Sequence, residues 1–258
     1  MKKLIATALC ATAGFASLPA NALTVTFGGV NPNDGSFLTS ALAPTNQNNL
    51  PAGIFVETFD VKGGCGLNSA ALGVVTSGNF WMTTGASGTA AAPANDTTCY
   101  GSGPQTLIAG DPLGANTATI DFSGAAANFF PGKKIDYLGF YWGSIDSYND
   151  ITFYANGVAI TISKLNGFTL NSSVLDGSDI LRFGGNSGDR ANPNTNRYVN
   201  MYFDENERFD KLVMHSSQYA MEIDNVVVRV AIPEPSVLLL IGTALLGLGF
   251  GSRSRKAK

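Results

Sequence analysis

An apolar run near the C-terminus, residues 237–250, constrains this chain more than any other feature. The run spans 14 residues, and four cations follow it within the last six residues of the chain. As a helix it covers about 21 Å, less than the roughly 30 Å hydrocarbon core of a bilayer, so flanking residues must extend it. It offers no polar face for docking on a globular domain. We therefore predict that this segment inserts into a membrane and leaves the basic C-terminus in the cytoplasm.

The N-terminus carries a second removable segment. Two lysines precede an apolar stretch over residues 4–16, and a small-x-small cleavage pattern follows at residues 20–22. Basic, apolar and small residues in this order are typical of a secretory signal peptide. We predict that residues 1–22 are a cleaved signal peptide and that residues 23–232 form the exported domain.

The C-terminal segment combines a Pro-Glu-Pro motif, the apolar run and an Arg-containing basic end. The residues of the motif and of the basic end are Pro233, Glu234, Pro235, Arg253 and Arg255. In this order, and with a signal peptide, these parts resemble the sorting signal of the PEP-CTERM proteins, exported proteins of Gram-negative bacteria that a membrane exosortase processes. The resemblance covers residues 233–258. It implies that exosortase and the secretion machinery are partners, and that the tail is a transient inner-membrane anchor of a cell-surface or extracellular protein.

The predicted exported domain is more acidic than the whole chain, which has a net charge of −3. Six of the 16 cations lie in the two end segments, whereas 18 of the 19 acidic residues lie in the domain, whose net charge is therefore near −8. An acidic surface disfavours nucleic acid, so no nucleic-acid partner is predicted. The carboxylates are available for divalent cations.

Cleavage of the signal peptide discards Cys10 and leaves Cys65 and Cys99 in an oxidising compartment. Their spacing is not the Cys-x-x-Cys pattern of reactive or metal-binding thiols. We therefore predict one disulfide between them. In the chain-entropy description, closing a loop of about 35 residues stabilises a fold by about 3–4 kcal/mol.

The pattern of the exported domain predicts an all-β fold. Short segments rich in Val, Ile, Thr, Phe and Tyr alternate with clusters of Gly, Asn, Asp and Pro, and no βαβ alternation is present. This favours an antiparallel β-sandwich with a jelly-roll-like topology. Strands are predicted at residues 23–27, 54–58, 80–83, 117–122, 137–142, 150–154, 158–162, 198–203, 211–216 and 221–230.

Two hairpins are predicted within this set of strands. The first turns at Asn156-Gly157, because both residues tolerate the positive φ that a tight turn requires. The second is predicted to join a strand at residues 209–215 to a strand at residues 222–228 through a short polar link.

One aromatic segment offers a candidate glycan-binding surface. Tyr141, Trp142 and Tyr148 lie close in sequence to Asp146, and aromatic faces beside carboxylates suit sugars. The alternative, which the alternation of Phe140 and Trp142 favours, is that the aromatic side chains belong to the core and the polar residues cap a turn.

Three carboxylates form a candidate structural calcium site. Glu57 and Asp60 lie in an early strand, and Asp224 lies in the last one, so a jelly roll can bring them together as hard oxygen ligands. The alternative, ordinary carboxylates at strand edges, is favoured. No other cofactor is predicted.

The sequence lacks the residue combinations of common catalytic sites. His215 is the only histidine, and no Gly-x-Ser-x-Gly motif accompanies it, so we predict that the protein is not an enzyme. A structural or adhesive role in a biofilm or envelope matrix is predicted, with exopolysaccharide as a candidate partner. The first alternative is a lectin-like carbohydrate-binding module, since residues 221–228 resemble the last strand of jelly-roll modules of that kind. A secreted glycosidase is the third hypothesis, after the structural or adhesive protein and the lectin-like module, because glycoside hydrolysis needs only two carboxylates.

Overall fold

The structure, a computed structural model, describes residues 22–47, 49–104 and 117–232. Within these residues the chain forms two large antiparallel sheets that pack together around a shared core, which confirms the predicted all-β sandwich. No helix among the described residues is long and apolar enough to cross a membrane. The predicted signal peptide and the predicted sorting residues lie outside the described residues. Those sorting residues are Pro233, Glu234, Pro235, Arg253 and Arg255.

The elements are short, as the spacing of turn residues indicated. In chain order the strands of the described residues are β1 (Thr24–Phe27), β2 (Ile54–Glu57), β3 (Asp60–Val61), β4 (Gly64–Cys65), β5 (Val75–Gly78), β6 (Trp81–Thr83), β7 (Tyr100–Gly103), β8 (Thr117–Asp121), β9 (Ile135–Gly143), β10 (Asn149–Ala155), β11 (Val158–Ala159), β12 (Ile162–Leu165), β13 (Phe168–Ser172), β14 (Val174–Asp176), β15 (Arg197–Tyr202), β16 (Lys211–Ser216) and β17 (Met221–Val230). Two short α-helices, α1 (Ser123–Phe129) and α2 (Gly177–Leu181), interrupt them.

Consecutive strands often belong to opposite sheets. The first sheet has the order β1-β15-β9-β17-β7-β6, and β2 pairs with β17 on the same edge as β7. The second sheet has the order β11-β10-β16-β8-β5, and β14 also pairs with β10. The chain therefore crosses between sheets from β8 to β9, from β9 to β10 and from β16 to β17, as in jelly-roll folds.

Aromatic side chains from both sheets fill the space between them. Phe122, Phe153, Phe203 and Phe209 are linked by ring contacts with centroids 4.8 to 6.2 Å apart. Phe55 of β2 joins this cluster through Phe122, at 6.3 Å. The cluster connects the first sheet to the second, and the burial of each ring contributes about 1.5–3 kcal/mol of hydrophobic free energy.

The central strands β9 and β17 are buried on both faces. Every residue of β17 except Arg229 is buried, and every residue of β9 except Asp136. One face of these strands contacts the second sheet. Loops cover the other face, where Tyr137 and Val227 pack with Ala43. This double burial explains why both strands read as nearly continuous apolar runs and not as alternating ones.

One of the two predicted hairpins is correct. Ala155 of β10 pairs with Val158 of β11, and Asn156 and Gly157 form the turn with φ of 53° and 79°. The second hairpin is wrong, because β16 and β17 lie in different sheets. Residues 217–220 carry the chain across one end of the sandwich instead of reversing it within a sheet.

The predicted disulfide is confirmed. Cys65 and Cys99 are bonded, with their Cα atoms 5.5 Å apart and 34 residues of sequence separation. The backbone N–H of Cys99 also donates a hydrogen bond to Asp60 Oδ1 at 3.0 Å. The small β3–β4 hairpin is thereby fixed to the segment that leads into β7.

Candidate functional site

A polar cavity of about 250 Å³ lies at one end of the sandwich. It opens where β9 ends and β17 begins, at the level where Gly143 pairs with Glu222. The loop that follows β9, the loop at residues 184–194 and the crossing link at residues 217–220 supply the other walls. We call this end of the sandwich the cavity pole. The side chains that carry its chemistry are Ser144, Asp146, Tyr148, Arg190, Tyr219 and Glu222.

The turn after β9 fixes Asp146 in the cavity wall. Ser144 has a φ of 35°, and its backbone N–H donates a hydrogen bond to Asn196 Oδ1 at 3.0 Å. Ser187 Oγ donates to Asp146 Oδ1 at 3.2 Å. Gly188 packs so closely that a Cβ there would lie 2.5 Å from Asp146 Oδ1, so this position requires glycine. The Asp146 carboxylate is therefore held in place from two loops.

Glu222 forms a buried part of the same cavity and is only 3 % exposed. Its Oε1 accepts a hydrogen bond from the backbone N–H of Ala91 at 3.1 Å, and its Oε2 accepts a long one from Ser144 Oγ at 3.4 Å. Burial raises the pKa of Glu222 to about 8, and the nearby Asp146 adds to the rise. At neutral pH Glu222 is therefore mostly a neutral carboxylic acid that can donate a hydrogen bond.

Aromatic and basic side chains surround the entrance. Tyr219 is 45 % exposed, and Tyr148 is half-buried and hydrogen-bonded to Asp146. The exposed Arg190 lowers the pKa of both Glu222 and Asp146, although burial dominates and the pKa of each remains raised. The cavity thus combines a neutral acid, a carboxylate, a guanidinium and two phenol rings in one small space.

Two of the four predicted glycan-binding residues are not at the surface. Tyr141 and Trp142 of β9 are fully buried, so the expectation that they present exposed aromatic faces is corrected. Trp142 packs against Phe140 in the main core, with ring centroids 5.6 Å apart, as the alternation of these residues indicated. Tyr141 Oη donates a hydrogen bond to the carbonyl oxygen of Ala94 at 2.5 Å, on the opposite face of the sheet.

The other two predicted residues, Asp146 and Tyr148, line the cavity. The sequence reasoning missed Glu222, Arg190 and Tyr219. A signal for Glu222 was present, because a buried carboxylate near the start of an apolar strand must be either paired or neutral. No local pattern pointed to Arg190 or Tyr219. Arg190 lies in a loop that only the tertiary fold brings to β9 and β17, and Tyr219 lies in the link before β17, which was predicted to be a hairpin turn.

The three candidate calcium ligands do not form a metal-binding group among the described residues. Glu57 accepts hydrogen bonds from the backbone N–H groups of Phe59 at 2.7 Å and Ser69 at 2.9 Å, so its carboxylate closes the loop between them. Asp60 accepts a hydrogen bond from the backbone N–H of Cys99, and Asp224 is fully buried in the sheet, near enough to Asp60 for the two carboxyl groups to interact electrostatically. Within residues 22–47, 49–104 and 117–232, no group of three or more His, Cys, Asp or Glu side chains is placed to hold a metal ion.

Asp224 instead forms a buried carboxyl pair with Asp96. Asp224 is fully buried, and neither of its carboxyl oxygens has a well-formed hydrogen bond from a described N–H or O–H donor. Burial and then the neighbouring Asp96 raise the pKa of Asp224 well above its usual range, and burial raises that of Asp96 to about 6. A proton held by this pair avoids placing two buried negative charges side by side.

Residues 231–256 match the family model of the PEP-CTERM protein-sorting motif. No curated protein and no solved structure is detectably similar to the chain. The family match confirms the resemblance of the terminal residues. The chain therefore carries a PEP-CTERM sorting motif, which marks it as an exported protein that an exosortase processes and that is directed to the envelope or surface of a Gram-negative bacterium.

Proposed function

We propose that this chain is a non-catalytic adhesive protein of the cell surface or extracellular matrix, and that its cavity pole binds carbohydrate. The observation that carries the proposal is the cavity itself, in which the neutral acid Glu222, the carboxylate Asp146 and the guanidinium of Arg190 lie beside Tyr148 and Tyr219. The export route places the domain at the envelope or surface, and exopolysaccharide is the proposed partner there.

The chemistry of the cavity suits a sugar. Each sugar hydroxyl both donates and accepts hydrogen bonds, and the cavity offers donors in Glu222 and Arg190 and an acceptor in Asp146. The exposed ring of Tyr219 provides an apolar face at the entrance. A volume of about 250 Å³ suits one or two sugar units of a longer chain, with the rest of the chain lying outside.

A glycosidase is the second candidate, and the same two carboxyl groups favour it. An acid with a raised pKa beside a second carboxylate is the pair that glycoside hydrolysis uses, and Glu222 and Asp146 are such a pair. The non-catalytic role is preferred because Asp146 is already engaged by Ser187 and Tyr148, and Glu222 by Ala91 and Ser144. These contacts fix the orientation of both carboxyl groups, as a binding site requires.

The proposed sorting route has two stages. The signal peptide directs export and is removed before Leu23, and the tail then holds the domain at the inner membrane. Exosortase removes the tail near Pro233-Glu234-Pro235, and the sandwich reaches the surface or matrix without it. The overlap of the sorting motif with Ala231, a buried residue next to β17, supports an immediate transition from domain to tail.

Glycan-array binding by the mature secreted protein tests the adhesive role. We expect binding to a subset of glycans, and we expect Asp146→Asn and Arg190→Ala each to weaken it by about tenfold or more, which corresponds to about 1.4 kcal/mol. Lys133→Ala, an exposed position at the opposite end of the sandwich, is the matched control and should bind normally. Trp142→Ala is not informative for binding, because Trp142 is a core residue.

Three results would count against this proposal. Binding to no glycan would refute the carbohydrate ligand. Binding that both cavity variants retain would refute the cavity as the site. Cleavage of a bound oligosaccharide, abolished by Glu222→Gln, would establish the glycosidase in place of the adhesin.

A further inference from the structure

The two ends of the mature domain leave the sandwich at the same end. One row of paired residues crosses the first sheet from β1 through β15, β9 and β17 to β2. The row consists of Thr24, Tyr202, Tyr137, Arg229 and Ile54. Because Thr24 starts β1 and Arg229 lies next to the end of β17, the predicted mature N-terminus and the start of the tail both adjoin this row. We call this end of the sandwich the exit pole.

The chain is held in the domain up to the start of the sorting motif. The backbone N–H of Val230 donates to the carbonyl of Gly53 at 2.7 Å, and that of Ala231 donates to the carbonyl of Lys134 at 2.8 Å. Ala231 is buried, whereas Ile232 is 58 % exposed. The folded domain therefore ends at Ala231, with no flexible spacer among the described residues that follow β17.

The tether from this point to the apolar run is short. Five residue steps separate Ile232 from Val237, where the run begins. A fully extended chain covers at most about 3.6 Å per residue, so the tether reaches at most about 18 Å whatever its conformation. Two of its residues are prolines, which restrict its freedom further.

The cavity lies at the other end of the same strand. Glu222 is the second residue of β17, and Val230 is the last. At about 3.3 Å per residue the eight steps between them separate the two poles by about 25 Å. The tether is thus shorter than the distance between the poles, and it starts at the pole opposite the cavity.

We infer that, while the tail is inserted, the lipid surface of the inner membrane contacts the exit pole and the cavity pole points away from the bilayer. This inference rests on the anchored stage of the proposed function. The residues that meet the lipid head groups are Gly53, Lys133, Lys134 and Ile232. Lys133 is exposed there, and Asp204 and the exposed Glu205 lie at the same pole next to Ala22, so this pole carries charges of both signs and the short tether, not the charge, sets the orientation. The cavity is then open to extracytoplasmic carbohydrate before the tail is cut.

Short-range fluorescence quenching on liposomes tests this orientation. The tail-bearing protein, residues 23–258, is labelled at Lys133→Cys on the exit pole or at Gln218→Cys on the cavity pole, two exposed polar positions. The lipid carries a nitroxide on its head group, which quenches only nearby fluorophores. We expect several-fold stronger quenching at position 133 than at position 218. The protein without either substitution should take no label, because Cys65 and Cys99 are bonded.

A linker variant tests whether the short tether is the cause. Insertion of about 20 Gly and Ser residues after Ile232 lengthens the mean reach of the tether to about 25 Å and frees the domain to rotate. Quenching at the two positions should then become similar. A difference that persists unchanged would contradict the tether as its cause.

A failure of the anchored stage can be distinguished from a failure of the inferred orientation. Protein that does not float with the liposomes would contradict the anchored stage, and the inference with it. Liposome-bound protein with equal or reversed quenching would overturn the orientation alone. Glycan binding is measured on tail-free protein, so its outcome does not affect this test.

Discussion

A chain that ends before Met221 will have no cooperative unfolding transition, whereas a chain that ends at Ile232 will fold. The shorter chain lacks β17, which pairs with β9, β7 and β2 in the middle of the first sheet. It also lacks the fully buried Ile223, Val226 and Val228. Burial of each such side chain contributes about 1.5–3 kcal/mol. The loss of all three therefore removes a large part of the roughly 5–15 kcal/mol by which a typical domain is stable.

Thermal melting of both chains, with the disulfide intact, measures this difference. The chain of residues 23–232 should give a single sharp transition and a β-rich far-UV spectrum, and the shorter chain neither. Aggregation or non-cooperative melting of the 23–232 chain, in conditions where the full-length protein in detergent melts cooperatively, would show that the apolar tail belongs to the domain.

The second expectation is that stability falls as the pH rises from 5 to 8. Glu222, with a pKa of about 8, stays mostly protonated in the folded state over most of this range, and burial raises the pKa of Asp224 as well. In the unfolded chain both ionise near pH 4 to 4.5. The unfolded state therefore binds fewer protons over this range, and each group lowers the free energy of unfolding by up to about 1.4 kcal/mol per pH unit.

Melting curves at several pH values, compared between variants, measure this effect. Glu222→Gln replaces the acid by a neutral group of the same shape, so its stability should depend less on pH than that of the wild type. Glu205→Gln, at an exposed position, is the matched control and should leave the slope unchanged. A wild-type stability that rises from pH 5 to 8, or an unchanged slope in Glu222→Gln, would contradict the assignment of a neutral Glu222.

The bounds of the strands were easier to predict from the sequence than the pairing between strands. The bounds of β16 and β17 were predicted to the residue, because polar or turn residues flank both apolar segments. Their connection was predicted wrongly, because a short polar link looks the same whether it reverses a strand within one sheet or crosses to another. β7 (Tyr100–Gly103) was missed because its two glycines and serine resemble a loop, yet its backbone pairs with β6 and β17.

The site was predictable only in part. Asp146 and Tyr148 were found because they lie beside a strongly apolar strand, whereas burial of Tyr141 and Trp142 depends on loops that cover the second face of β9. Glu222 lies 76 residues after Asp146, and only the antiparallel pairing of β9 with β17 brings them into one cavity. Calcium was the less favoured interpretation of Glu57, and the hydrogen-bond donors that occupy Glu57 come from a loop whose conformation the sequence does not reveal.

The central claim is that a folded domain is delivered outside the cell after both targeting segments have been removed. Intact-mass analysis of the protein secreted by its native host tests it most directly. The account predicts a chain that begins at Leu23, ends near Pro233-Glu234-Pro235 and has lost two hydrogens to the Cys65–Cys99 bond. A secreted chain that still contains residues 250–258 would contradict it.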